Sequence, residues 1–172
     1  MIQTPPRGFP EIEFEIRMAR VQKAMLDQQL DAVLLTTEPD VRYFTGFFTQ
    51  FWESPTRPWF VLLPAEGRPI AVIPEIGKAG MEATWVEDIH CWPAPRPEDD
   101  GISLLRQVIM TLPRRFGRLG VPMGHESHLR MPAGDFVALT SGLSGFEILD
   151  ASLLLHILPP HHLVQPVAHW LL

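Results

Sequence analysis

The strongest constraint on how this chain can fold is the short run at residues 32–36, Ala-Val-Leu-Leu-Thr, which leaves no face for solvent. Its length and the β-branched Val33 favour a strand, and a strand apolar on both sides must be covered on both sides. The sheet it belongs to therefore needs helices on two faces. The next segment is punctuated as a capped helix: Thr37 lies two residues ahead of Pro39 and can cap a Pro-initiated turn. Val41, Phe44 and Thr45 then share one face, and Gly46 is the natural stop.

The same logic extends along the chain. Pro5, Pro6, Gly8 and Pro10 make an extended lead-in, after which Phe14, Met18, Val21 and Met25 recur at helical spacing and predict an amphipathic helix over 11–29. Residues 59–63 and 69–73 are β-type runs joined by Pro64-Ala-Glu-Gly-Arg68, the chemistry of a hairpin, so the sheet should be mixed rather than purely parallel. A helix over 74–83 and a strand over 85–92 come next. The prolines of 93–97 lack backbone donors and exclude regular structure there. Residues 101–112 read as a helix whose start is favoured by Glu98, Asp99 and Asp100. Strands at 117–122 and 146–151 enclose a helix near 132–139. The expected architecture is one α/β domain over 1–155, with a mixed β-sheet flanked by helices on both faces. From His156 the chain carries Pro159, Pro160 and Pro166 and no amphipathic period, so 156–172 reads as a tail.

Composition bounds function more by exclusion. At 172 residues and 46% hydrophobic content, the chain can bury a core without staples. A net charge of −6 opposes a binder of nucleic-acid phosphates, which needs a Lys/Arg patch. Cys91 is the single cysteine, so there is no internal disulfide, and a reducing cytoplasm fits. No apolar run approaches the roughly 18 residues of a membrane span, and the N-terminus lacks the pattern of a signal peptide.

The candidate chemical sites are modest. His156, His161, His162 and His169 crowd the tail, and imidazole is the commonest metal ligand, yet a Pro-broken segment holds no fixed geometry. A self-sufficient hydrolase using these histidines is a third reading. His125-Glu-Ser-His128 lacks the i, i+4 spacing of a helical HExxH pair and reads as a polar loop. Glu98, Asp99 and Asp100 read as a solvated helix start. Gly117-Arg-Leu-Gly120 lacks a third glycine and runs into a strand, so it makes no phosphate loop. Tyr43 is expected to pack its ring, and Cys91 to pack within a strand. The least structural segment is Phe51, Trp52 and the Pro-rich loop through Arg57 to Trp59. An aromatic and guanidinium cluster can hold a carboxylate or anchor an interface. Equally, Trp52 and Trp59 can cover the sheet while Arg57 makes a surface pair.

Residues 30–47, LDAVLLTTEPDVRYFTGF, resemble the N-terminal domain of the creatinase/prolidase, or pita-bread metallopeptidase, family, in which a strand of type LDALLLT precedes P-x-N-V-x-Y-L-T-G-F. The likeness continues at Arg17, Arg20, Gln22, Ala24 and Met25, which look like the family's R-x-x-R-x-Q-x-A-M helix. It resumes at 59–64, 69–74, 85–89, Gly120-Val121 and Asp150-Ala151-Ser152. The resemblance implies a three-layer domain on a ribonuclease H-like sheet. It implies that the metal ligands, two Asp, one His and two Glu, belong to a C-terminal catalytic domain, so neither catalytic residues nor a cofactor are expected in this chain. In relatives that hydrolyse Xaa-Pro bonds or creatinase substrates, the N-terminal domain supports dimerisation and walls the partner's active site. In creatinase-like members an aromatic and an Arg of this domain's early loop help hold the substrate carboxylate, which makes Phe51, Trp52 and Arg57, in the corresponding region here, the candidate substrate-contacting residues.

Two departures from the family accompany the likeness. Asp40 stands where the family usually has Asn, and residues 156–172 show nothing of the family's R-x-x-K-s-x-x-E-I helix. A clone boundary, a frameshift or a truncated gene would produce the latter. The expectation is thus a non-catalytic, cytoplasmic domain of a Xaa-Pro peptidase-like hydrolase, acting in a homodimer or with peptidase subunits, the divalent metal lying only in the missing domain. The alternative is a free-standing module that binds a small carboxylated ligand or a peptidase subunit.

Overall fold

The computed structural model describes residues 8–53 and 58–157. Among them, six strands form one sheet: β1 (Ala32–Leu35), β2 (Phe60–Pro64), β3 (Ile70–Pro74), β4 (Asp88–Trp92), β5 (Arg118–Val121) and β6 (Glu147–Asp150), in the spatial order β4-β3-β2-β1-β5-β6. β2 runs antiparallel to both neighbours and every other pairing is parallel. The expected hairpin is the cause: Gly67, at φ 92°, turns the chain between β2 and β3.

The helices are α1 (Glu11–Asp27), α2 (Glu38–Thr45), α3 (Lys78–Glu82), α4 (Ile102–Thr111), α5 (Ala133–Ser141) and α6 (Ser152–Ile157). Strand alternation sorts them into two outer layers. Val33, Leu35, Val61, Leu63 and Ile73 face one core, shared with α1, α2, α3 and α6. Ala32, Leu34, Phe60, Leu62 and Val72 face the other, shared with α4 and α5. All four residues of β1 are fully buried, as a strand covered on both sides must be. The fold is the three-layer α/β arrangement with a mixed sheet.

Local chemistry accounts for the element ends. The Thr37 hydroxyl bonds the Asp40 carboxylate and accepts from the Asp40 amide, so the Asp in place of the family's Asn still closes the cap of α2. Gly46 ends α2 in the left-handed region at φ 74°. Asp99 accepts from the Ser103 amide at 2.9 Å and caps α4, a more specific role than solvation. Some boundaries differ from the sequence-based expectations. The helix expected over 74–83 splits into a 3-10 turn, Glu75–Gly77, and the short α3. The strand expected from Trp85 begins at Asp88, because Trp85 turns its indole N–H to the Phe44 carbonyl at 2.8 Å instead of joining the ladder. α6 runs across the boundary drawn between 155 and 156.

Three polar residues lock the layers. Arg17, 3% exposed, lies in an aromatic box with its guanidinium carbon 4.3 Å from the Phe9 ring centroid and 4.4 Å from that of Tyr43. It also donates to the Tyr43 carbonyl at 2.7 Å, near the C-terminal end of α2, where a cation is favoured. Gln22 donates to the carbonyls of Pro64 and Gly67 and holds the hairpin. Buried Asp31 accepts backbone N–H groups from Arg115, Phe116, Gly117 and Arg118, fixing the entry to β5. The helix motif residues Arg17 and Gln22 are thus clamps of the fold.

Candidate functional site

The chain leaves the adjacent, parallel strands β1 and β5 toward opposite faces. α2, after β1, buries Val41 and Phe44 in the first core, and α5, after β5, buries Leu139 in the second. A crevice therefore opens at the carboxyl ends of these two strands, the position where open α/β sheets receive ligands. A cavity of about 200 Å³ lies there, lined by Thr37, Asp40, Ser127, His128, Ser152 and His156 among others.

The aromatic turn sits beside this crevice. Leu35 pairs with Val61, which places the start of β2, and Trp59 just before it, at the carboxyl end of β1. Beyond α2 the chain forms a 3-10 turn, Gln50–Glu53, carrying Phe51 and Trp52. The Trp52 ring lies 5.8 Å from that of Trp59 at 44°, and Trp59 lies 5.3 Å from Phe47. Trp59 is 0% and Trp52 7% exposed, so both rings cover the sheet. Phe51 is half-buried and packs against the same core. Arg57 lies outside the described residues. The structure thus brings Phe51 and Trp52 into one turn and adds two residues that sequence reasoning did not single out.

The first is Phe48, 61% exposed, with the Arg42 guanidinium carbon 4.9 Å from its ring centroid. The second is Arg130, in the β5–α5 connection. Its Nη2 donates to the Trp52 carbonyl at 3.0 Å, its guanidinium carbon lies 5.2 Å from the Trp52 ring centroid, and its own amide donates to Thr36 Oγ1 at 3.0 Å. Burial lowers the pKa of Arg130, and the Glu38 carboxylate opposes that shift. No periodicity marks either residue. The only sequence signal for Arg130 was its place after β5, at the switch between faces.

The other candidates fall where local structure uses them. His125 and His128 lie in the loop between β5 and α5, and His156 lies on α6, whereas His161, His162 and His169 lie outside the described residues. Tyr43 sits edge-on to Phe44, and burial raises its phenol pKa against the pull of Arg17 and Arg20. Cys91 lies half-buried in β4 with its thiol pKa raised by burial, the opposite of an activated nucleophile. A cavity of about 250 Å³ beside β4 is lined by Cys91, Trp92, Arg96, Asp99 and Ser103 among others. Arg96 there pairs with Glu98, and Asp99 is spent on its cap. Among the described residues no group of three or more His, Cys, Asp or Glu could hold a metal ion. Among them, too, no helix is long and apolar enough to cross a membrane.

Fold and site together define a three-layer α/β domain with a switch-point crevice, beside which an aromatic turn is packed. Residues 17–158 match the model of the creatinase/prolidase N-terminal domain, and the chain belongs to that family. Solved structures agree on the fold. Dipeptidase PepE from Mycobacterium ulcerans is 23% identical with a TM-score of 0.64, the alignment covering 88% of this chain and 38% of that one. A prolidase from Thermococcus sibiricus gives 18% identity and a TM-score of 0.68, covering 88% of this chain and 37% of the prolidase. The creatinase/prolidase N-terminal domain of an X-Pro dipeptidase from Streptococcus pyogenes gives 11% and 0.62, covering 82% of this chain and 97% of that domain. The chain thus spans 38% of the PepE chain but matches nearly the whole of the isolated domain. A comparison with curated proteins gave no match.

Proposed function

We propose that this chain acts as the non-catalytic N-terminal domain of a Xaa-Pro peptidase or creatinase-like hydrolase, contributing to dimerisation and substrate gating beside a metal-dependent catalytic domain. The observation that carries this reading is the family match over residues 17–158, in a chain that spans 38% of the PepE dipeptidase. The turn bearing Phe51 and Trp52, beside the crevice at the carboxyl ends of β1 and β5, supplies the aromatic part of a gate. Arg57 completes the set as the candidate carboxylate-holding cation. A cytoplasmic location and a homodimer, or association with peptidase subunits, belong to the same reading. The divalent metal belongs to the catalytic partner domain, where it would activate water for hydrolysis.

The test is hydrolysis of Xaa-Pro dipeptides by the purified chain with added manganese or cobalt. No turnover is expected, and robust turnover would overturn the reading. A second reading, a module that binds a small carboxylated ligand, is favoured by one observation, the guanidinium of Arg130 against Trp52. Titration of N-acetylproline into the native chain and an Arg57→Ala variant separates the two. Binding that weakens in the variant supports the module, and unaltered or absent binding removes it.

A further inference from the structure

A 3-10 turn of four residues, Gln50–Glu53, has few hydrogen bonds of its own to fix its orientation. Within Gln50–Glu53 and its approach, the Phe51 amide reaches Thr49 Oγ1 at 3.3 Å and the Trp52 amide reaches the Thr49 carbonyl at 3.4 Å, both long for hydrogen bonds. The ring contact between Trp52 and Trp59 is apolar and tilted, so it buries area without fixing the main chain. Among the described residues, a directional tie to the turn comes from Arg130, which is 78 positions away in sequence.

That tie starts from a fixed base. The Arg130 amide is anchored to the hydroxyl of Thr36, which is 0% exposed and immediately follows β1. From there one planar group does two things: Nη2 donates to the Trp52 carbonyl, and the guanidinium approaches the Trp52 ring. A guanidinium combines in-plane donors with a face that stacks on an aromatic ring, which an ammonium does not. The connection leaving β1 and the connection leaving β5 are thereby tied across the crevice that separates them.

We propose that Arg130 is the positioning residue of the aromatic turn, holding Trp52, and through it Phe51, in one orientation beside the β1–β5 crevice. Its functional meaning rests on the gating reading above. Partial burial of a cation is unfavourable unless its donors are used, and burial lowers the pKa of Arg130.

The test is amide hydrogen exchange followed by NMR on the whole chain without ligand, comparing the native protein with Arg130→Met, which keeps the stem, and Arg130→Lys. In Arg130→Met, exchange at Phe51 and Trp52 should quicken about tenfold relative to Val33 and Leu34 of β1, the equivalent of one lost hydrogen bond from a charged donor. The Trp52 indole resonance should move, and Lys should restore only part of either effect. Unchanged exchange at Phe51 and Trp52, full rescue by Lys, or an equal rise at the β1 amides would overturn the proposal. If Arg130→Met does not fold, Arg130→Lys and Thr36→Val, which removes the anchor, are judged on the same amides. No substrate enters this measurement. Turnover by the chain alone would overturn gating and leave the positioning role standing, whereas unchanged exchange would do the reverse.

Discussion

The two faces of the sheet are built on different physics. The face under α1, α2, α3 and α6 is filled with rings, including Phe14, Phe44, Phe47, Trp52, Trp59 and Trp85. Polar ties back part of this face: the Trp85 indole donates to the Phe44 carbonyl, and Arg17 and Arg130 donate to the main-chain carbonyls of Tyr43 and Trp52. The face under α4 and α5 is mostly aliphatic, with Leu105, Val108, Ile109, Leu119, Leu139 and Leu143 around Phe60 and Trp92. Aliphatic packing asks for volume and tolerates rearrangement, whereas a ring bonded through its own polar atom, as Trp85 is, has one orientation. The aromatic face is the one that presents the candidate gate, so the part that must hold a geometry is the part that is directionally bonded.

Both faces nevertheless press an indole onto a glycine, and this gives the largest expected effects. A Cβ on Gly101 would meet the Trp92 ring at 2.5 Å, and Gly101 has φ 85°. Gly101→Ala therefore combines overlap with left-handed strain and should cost about 3 to 4 kcal/mol. A Cβ on Gly77 would meet Trp59 at 2.2 Å, but φ there is −90°. Gly77→Ala carries overlap alone and should cost about 2 kcal/mol, read by urea unfolding. An equal or inverted order would show that the aromatic face is the less yielding of the two even without backbone strain.

The second experiment asks directly whether polar ties set the aromatic face apart. Trp85→Phe keeps a ring against Phe14, its stacked neighbour at 5.9 Å, but leaves the Phe44 carbonyl without its indole donor. The expected loss is about 2 kcal/mol, chiefly the penalty of an unsatisfied buried acceptor. Leu105→Met on the other face conserves volume and should cost less than about 1.5 kcal/mol. Equal losses would mean that both faces are held by burial alone.

How much of this was legible in the sequence depends on the same division. Local chemistry could be read: the fully covered β1, the Thr37 and Pro39 start and Gly46 stop of α2, and the hairpin at Gly67 are all decided by residues within a few positions of one another. The split at Gly77 and the late start of β4 could not, because they answer to Trp59 and to the Phe44 carbonyl, distant in the chain. α6 is too short for a helical period to register. At the candidate site, the composition of the aromatic segment drew attention to Phe51 and Trp52, but the burial of Trp52 and its tie to Arg130 are tertiary facts. A side chain 78 positions away leaves no local pattern.

The smallest expected effect concerns the border where α6 joins the aromatic face. The Asp150 carboxylate accepts the Ser152 hydroxyl at 2.5 Å and the amides of Ser152, Met123 and Gly124 at 3.0 Å each. These bonds, those from Ser152 foremost, hold its pKa down to about 2. The unfolded carboxylate titrates near an ordinary value of about 3.9, so below that pH the unfolded chain binds the proton first. The contribution is therefore complete above about pH 4 and is lost as pH falls through the folded value near 2. Asp150 is exposed, and solvent screening keeps the effect small. Ser152→Ala should raise the folded pKa toward the ordinary value, lowering stability at neutral pH and narrowing the acid window over which the remainder is lost. Asp150→Asn should abolish this part of the slope. Urea midpoints from pH 7 down to pH 2.5 decide it. An acid slope identical in the native chain and Asp150→Asn would mean that the Asp150 bonds at this border do not stabilise the ionised form, leaving the apolar packing of Ala151, Leu154 and Leu155 as the main hold of α6 on the aromatic face.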